Sequence, residues 1–188
     1  MKEHPILFQG WKVRAIYNGA TQTRRVIRKQ PAGAWAAPGR SACPYGQPGD
    51  LLWVRETWAI EDCGSRVSLS PGAWPSGWPI DRLRYPATDE APQKDGKGRP
   101  YWWNLRSSIH MPRWASRLTL RLTEVLVQRV QEISHEDMRA EGMQSDIPFV
   151  EFIAAWDSIN SKRPGCSWEA NPFCWALTFV VERTGSAR

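Results

Sequence analysis

Three short runs hold the residue types from which a reactive or ligand-holding site is built. The densest is Thr21-Gln22-Thr23-Arg24-Arg25. If it is a strand, alternation sends Thr21, Thr23 and Arg25 to one side, where two hydroxyls and a guanidinium converge. Arginine presents a planar fork and threonine a short donor-acceptor, a combination suited to phosphate or a base edge; the competing reading is a solvated edge strand. The second run is Ser108 to Trp114, where His110, one of three histidines, stands beside Arg113 and Trp114. That imidazole is either a proton carrier at neutral pH or a structural side chain bonded to a loop carbonyl. The third is Trp53 to Trp58, where Arg55 and Glu56 project from a mostly apolar strand. Charges facing a core need partners, so the two either form an ion pair or line a site. Glu141 closes a short helical stretch. The negative end of a helix dipole disfavours an anion, so Glu141 is either exposed or binds a proton more readily, which general acid-base chemistry can use.

These residues need elements to hold them. The spacing of Trp11, Val13, Ile16 and Tyr17 predicts a helix over Gly10 to Tyr17, ended by Asn18-Gly19, both tolerant of the left-handed backbone found past helix ends. Thr21 to Ile27 then reads as a strand leaving a tight turn. Breakers crowd Gln30 to Asp50, and Pro48-Gly49-Asp50 launches a strand over Leu51 to Trp58. Its alternation puts Leu51, Trp53, Arg55 and Thr57 on one face and Leu52, Val54, Glu56 and Trp58 on the other. Arg84 to Thr88 is a further strand, and Ala115 to Val130 a long one or two joined by a bend near Glu124. Ser134 with Asp137 three residues on predicts a capped helix ending at Gly142. Phe149, Phe152, Ile153 and Trp156 predict another over Pro148 to Ile159, and Phe173 to Val181 reads as a buried closing strand. The expected class is α+β: a small mixed β-barrel of five or six strands with about three short helices. One domain is expected over residues 1–183, with an irregular insertion at 61–108 rich in Pro, Gly and Trp, and a flexible tail at 184–188.

Composition narrows the chemistry. The chain has 188 residues, and no apolar run approaches the ~20 residues that cross a bilayer. The N-terminus also lacks a signal-peptide layout, so a cytoplasmic protein without membrane contact is expected. The four cysteines contain no C-x-x-C pair, so no metal site and no cofactor are expected. A net charge of +6 favours a polyanionic partner. It is distributed unevenly: residues 1–30 and 99–130 are basic, residues 131–160 acidic. Twelve tryptophans supply core, but also platforms on which bases or sugars can stack.

Taken in order, the 21–25 run, Pro44 to Trp58, Ser108 to Arg117, Ala140-Glu141-Gly142-Met143, Trp156 to Asn160 and the closing strand resemble the ASCH domain family, a branch of the PUA-like barrels. The resemblance covers nearly the whole chain and is to the type encoded in phages and prophages. It implies a barrel whose cleft binds RNA or a modified nucleoside. One bacterial branch hydrolyses the acetyl amide of acetylated cytidine with a Lys, a Thr and a Glu, the first two within K-T-x-T-x-R. By that motif Thr23 matches the catalytic Thr, Arg25 the trailing Arg, and Glu141 the Glu, while the Lys position holds Ala20. Lys12, Arg24 or Arg55 would have to supply the missing cation from elsewhere.

Three readings follow. The leading one is a module that binds RNA or a modified nucleoside, with DNA as another polyanion in reach. Thr21, Arg24, Arg25, Trp53, Arg55, Glu56, Arg113 and Trp114 would form its ligand-binding set. The second is a hydrolase of an acetylcytidine-type amide or of RNA, with Thr23, Glu141 and His110 as the catalytic groups. The third is a noncatalytic phage accessory protein that binds a host protein through the Trp-rich insertion. The sequence leaves the oligomeric state open.

Overall fold

The computed structural model describes residues 1–30, 43–60, 83–89 and 105–184. Most of the expected 61–108 insertion, including Trp74, Trp78, Tyr101, Trp102 and Trp103, lies outside the described residues, as does the end of the chain beyond residue 184.

The protein is α+β. A five-stranded sheet runs in the order β1 (Glu3–Leu7), β3 (Leu51–Arg55), β6 (Leu118–Arg129), β7 (Phe173–Thr184), β2 (Gln22–Val26). A small pair, β4 (Ala59–Ile60) and β5 (Leu83–Arg84), packs beside it. Only β1 and β3 pair in parallel; the other ladders of the sheet are antiparallel. The helices are α1 (Gly10–Tyr17), α2 (His135–Ala140) and α3 (Pro148–Asn160).

The spine is β6 against β7. Their ladder runs from Leu118 to Arg129, opposite Thr184 to Phe173, and Thr123 stands out of register between Leu122 and Glu124. That extra residue is the bend expected near Glu124, since a bulge kinks a strand without ending it. At the far end Arg129 faces Phe173, so the chain leaves the ladder at one strand and rejoins it directly opposite. Between those points lie α2 and α3.

One core fills the concave side: Ile6 from β1, Val13 and Ile16 from α1, Leu52 and Val54 from β3, Leu120 and Leu122 from β6, and Leu177 and Phe179 from β7. A second cluster holds α3 down through Phe152 and Trp156, packed on Val130, Met138, Met143 and Cys174. Burying two such aromatic side chains contributes ~3 to 6 kcal/mol, more than the intrinsic propensity of a helix this short.

Among the described residues no backbone ladder joins edge strands β1 and β2. A side chain crosses the gap instead: Arg25 on β2 donates through Nη2 to the carbonyl of Leu7, the last residue of β1. Its guanidinium lies over the Phe8 ring, 4.8 Å from the centroid.

Of the sequence expectations, α1 falls on Gly10–Tyr17 as expected, with Asn18 as C-cap and Gly19 at φ +98°. The capped helix after Ser134 is present with its reciprocal bonds to Asp137. The strand expected over Leu51 to Trp58 ends at Arg55, and the one expected over Arg84 to Thr88 is the two-residue β5, after which Tyr85 to Asp89 turns back on itself. No helix among the described residues is long and apolar enough to cross a membrane.

Candidate functional site

Lys12 is an unusual residue to find inside a helix-sheet contact. Helical spacing puts it on the face of Ala15 and Ile16, which point into the core, so its side chain must run inward too. It is 2% exposed. The ammonium donates to the Gln22 carbonyl at 2.5 Å, the Glu141 carbonyl at 2.7 Å and Glu141 Oε2 at 3.0 Å. All three of its protons are therefore engaged. Burial pulls the Lys12 pKa below its ordinary value, and the Glu141 carboxylate pulls it back up.

Glu141 is the C-cap of α2 and is 4% exposed, so of the two alternatives its position left open, the exposed one does not hold. Lys12 holds Oε2, and Arg24 Nη1 lies 3.3 Å from Oε1. The turn brings Glu141 there because Gly142 adopts φ +98°, and because that turn packs on α1 closer than a side chain permits. A Cβ at Gly142 would stand 2.4 Å from the Ala15 Cβ and 3.4 Å from the Ala20 Cβ. Thr21 fastens the same junction through its backbone, donating to the Ala140 carbonyl and accepting from Phe179 N–H, each at 2.8 Å.

Arg24 is spent on the protein. It donates to Gln22 Oε1 at 3.3 Å and pairs with Asp137 Oδ2 at 2.9 Å as well as with Glu141. With its amide oxygen toward Arg24, Gln128 accepts from Nη2 at 3.0 Å and Nε at 3.1 Å. Asp137 thus caps α2 and anchors Arg24 together. Burial raises its pKa, but the Ser134 N–H and the Arg24 charge outweigh that and hold it below the usual carboxylate range.

Of these, Lys12, Arg24 and Glu141 line a cavity of about 930 Å³, within the range of small-molecule sites. Thr23 contributes from β2; it is 5% exposed, and its hydroxyl makes no hydrogen bond to any described residue. Trp11, Met143, Phe152 and Trp156 form an apolar wall, Tyr45 and Ile109 a mouth, and Arg28, Lys29 and Arg163 a basic rim. Lys12, Thr23 and Glu141, from three separate segments, thereby share one space.

The remaining expected residues stand elsewhere, and alternation explains most of them. On β3 the even-numbered residues Leu52, Val54 and Glu56 are buried, while Trp53 and Arg55 lie on the other face. Arg55 stacks over Trp53 at 5.4 Å and donates to the Ile109 carbonyl, so it touches the mouth only through that segment. Glu56 forms an ion pair, but with Arg117 rather than Arg55, in a bidentate fork of 2.9 Å on each arm. Arg113 makes a similar fork with Glu3 at 2.8 and 3.0 Å, on the outside of β1. Trp114 meets Trp58 edge-on at 6.2 Å. Thr21 and His110 are exposed. None of Thr21, Trp53, Arg55, Glu56, His110, Arg113 and Trp114 lines the cavity; of the three runs the first supplies Thr23, Arg24 and Arg25, the second only Ser108 and Ile109, and the third nothing. No group of three or more candidate metal ligands occurs among the described residues.

No family model and no curated protein matches the chain. Among solved structures, it is similar to protein EF3133 from Enterococcus faecalis V583, described by the family model DUF984. The TM-score is 0.47 at 9% identity, over 99% of this chain and 84% of that one.

From the sequence, Lys12 is only one of three possible substitute cations, and Asp137, which anchors Arg24 behind the cavity, only a helix cap. The signal for Lys12 was there: a lysine three and four residues before Ala15 and Ile16 sits on the buried stripe of its helix.

Proposed function

We propose that the cavity binds a modified nucleoside, free or within an RNA, and that the protein hydrolyses an acyl amide on its base. The observation that carries this reading is the convergence of Lys12, Thr23 and Glu141 on one cavity wall. In the K-T-x-T-x-R stretch of the amidohydrolase branch the lysine precedes the threonines; here that position is Ala20, and α1 supplies an ammonium from eight residues earlier. We read the sheet, with its single enclosed core and its arginine-bridged seam, as a barrel of the PUA-like, ASCH type.

In this reading Glu141 takes a proton from a water molecule whose oxygen attacks the acyl carbon. The free Thr23 hydroxyl donates to the oxygen on which negative charge develops. Glu141 then passes the proton to the departing exocyclic amine as the C–N bond breaks, leaving a carboxylic acid and the unmodified base. Lys12 and Arg24 hold the two carboxylate oxygens in place and aimed.

The test is incubation with N4-acetylcytidine and chromatographic measurement of cytidine. Turnover is expected in the wild type, with a loss of ~100-fold to ~1000-fold in Thr23→Val and Glu141→Gln. One observation favours a second reading, noncatalytic binding of RNA or a modified nucleoside: with all three Lys12 protons engaged, the ammonium has none left for substrate. Tight binding by a wild type that releases no cytidine supports that alternative and overturns hydrolysis. The host-protein reading rests on an insertion largely outside the described residues.

A further inference from the structure

The cavity holds more positive charge than its own acid can balance. Among the described residues, Lys12, Arg24, Arg25, Arg28, Lys29 and Arg163 line it against the single carboxylate of Glu141. Lys12 and Arg24 are already matched, by Glu141 and Asp137. Arg25 is not. Its guanidinium has the Leu7 carbonyl and the face of Phe8, no carboxylate among the described residues, and a buried Nε with no acceptor. The buried arginines among the described residues, Arg24 and Arg117, each have a carboxylate, Glu141 with Asp137 for the first and Glu56 for the second. A half-buried guanidinium without an anion is costly, and desolvation pulls the Arg25 pKa down accordingly.

We propose that Arg25, with Arg28 and Lys29 at the rim, forms a phosphate subsite, so that the ligand is a nucleotide or an RNA segment rather than a neutral nucleoside. This rests on the ligand occupying the cavity as proposed above, but not on hydrolysis. A phosphate ester presents several acceptor oxygens to a planar fork, and among the described residues only the Leu7 carbonyl, at Nη2, occupies that of Arg25. The exposed Arg28 and Lys29 add attraction at longer range, which salt screens.

Calorimetric titration with cytidine, its 5′- and 3′-monophosphates, a short oligocytidylate and inorganic phosphate reads this directly. At least one monophosphate is expected to bind ~10-fold or more tightly than cytidine, and that preference is expected to fall as salt rises from ~50 to ~200 mM. Arg25→Gln, with folding checked by melting temperature, brings the two within about twofold. Arg28→Gln with Lys29→Gln, on exposed side chains, weakens the salt dependence. Oligocytidylate binding more tightly than either monophosphate identifies RNA as the source of the phosphate, and the reverse identifies the mononucleotide. Equal affinity for cytidine and both monophosphates in the wild type overturns the proposal. So does a preference that survives in folded Arg25→Gln or, should that variant not fold, one indifferent to salt in the wild type. Hydrolysis separates the two readings. Equal kcat/KM for acetylcytidine and for both its 5′- and 3′-monophosphates overturns the subsite and leaves hydrolysis standing. Absence of turnover with the phosphate preference intact does the opposite.

Discussion

Lys12 grips Glu141 twice, through the carboxylate at 3.0 Å and the backbone carbonyl at 2.7 Å, across 129 positions of sequence. The second bond fixes where the residue's backbone sits, the first where its side chain points. A glutamate so held has little rotamer freedom left, which is the preorganisation that a base or a charged ligand contact requires.

The pair should therefore show strong coupling. Glu141→Gln leaves a buried ammonium with only carbonyl partners and is expected to cost ~3 to 5 kcal/mol. Lys12→Met leaves Glu141 its Arg24 contact and should cost less, ~1 to 3 kcal/mol. The double variant is expected to be less unstable than the sum of the two by at least ~1 kcal/mol, measured by denaturant melts. Simple additivity would mean that the two charges do not depend on each other.

Gly142 tests the junction that brings them together. Gly142→Ala places a Cβ where the Ala15 Cβ stands 2.4 Å away, on a backbone with positive φ. The expected cost is ~2 to 4 kcal/mol, from strain and overpacking combined. Ligand affinity should fall together with stability, because the turn must back away from α1 and take Glu141 with it. Gly19→Ala offers a comparison: its φ is also positive, but nothing lies within 4 Å of its Cβ, so only the backbone strain is expected.

Asp137 predicts a pH dependence. Its pKa in the folded protein lies below the ordinary 3.8, so its ionised form stabilises the fold above that value, and the contribution disappears as pH falls through the lowered pKa. Asp137→Asn should cost about 1 kcal/mol at neutral pH, through the loss of the charged bond to Arg24. The difference from wild type should stay constant above about pH 5 and shrink below pH 3.8. A gap that persisted unchanged in acid would assign the stabilisation to shape rather than charge.

Glu56 and Arg117 form the largest buried ion pair away from the cavity, the guanidinium also lying 3.9 Å from the Tyr85 ring centroid. Glu56→Gln is expected to lower stability by ~3 kcal/mol or more, since Arg117 is then buried with only the 3.8 Å contact to Asp89 as ionic partner. Because neither residue lines the cavity, nucleotide affinity of the folded fraction should not change.

What the sequence made legible, and what it hid, divides along physical lines. Local rules located α1, the capping box at Ser134 and Asp137, the bend near Glu124 and the two faces of β3, because each depends on residues within a few positions of one another. They also brought Thr23 and Glu141 forward as candidates. Pairings between distant charges were not legible. Arg55 and Glu56 are neighbours in sequence, yet alternation sends them to opposite faces, and Glu56 finds Arg117, 61 positions on. Arg113 reads as a ligand contact until the fold places Glu3 beside it. Lys12 stands in the sequence beside Arg24 and Arg55 as a substitute for the cation missing at Ala20, and only the fold selects it, since a cavity wall can draw its cation from whichever element reaches it.

The way the chain departs from the β6–β7 ladder at Arg129 and returns opposite it at Phe173 gives the molecule a modular character. Glu141, Asp137 and the apolar wall from α3 all belong to that excursion, while Thr23 and Arg25 belong to the sheet. Specificity for the apolar part of a ligand could therefore drift, or be redesigned, by rewriting a loop whose two ends are already stapled together, with the anion-facing strand left as it is.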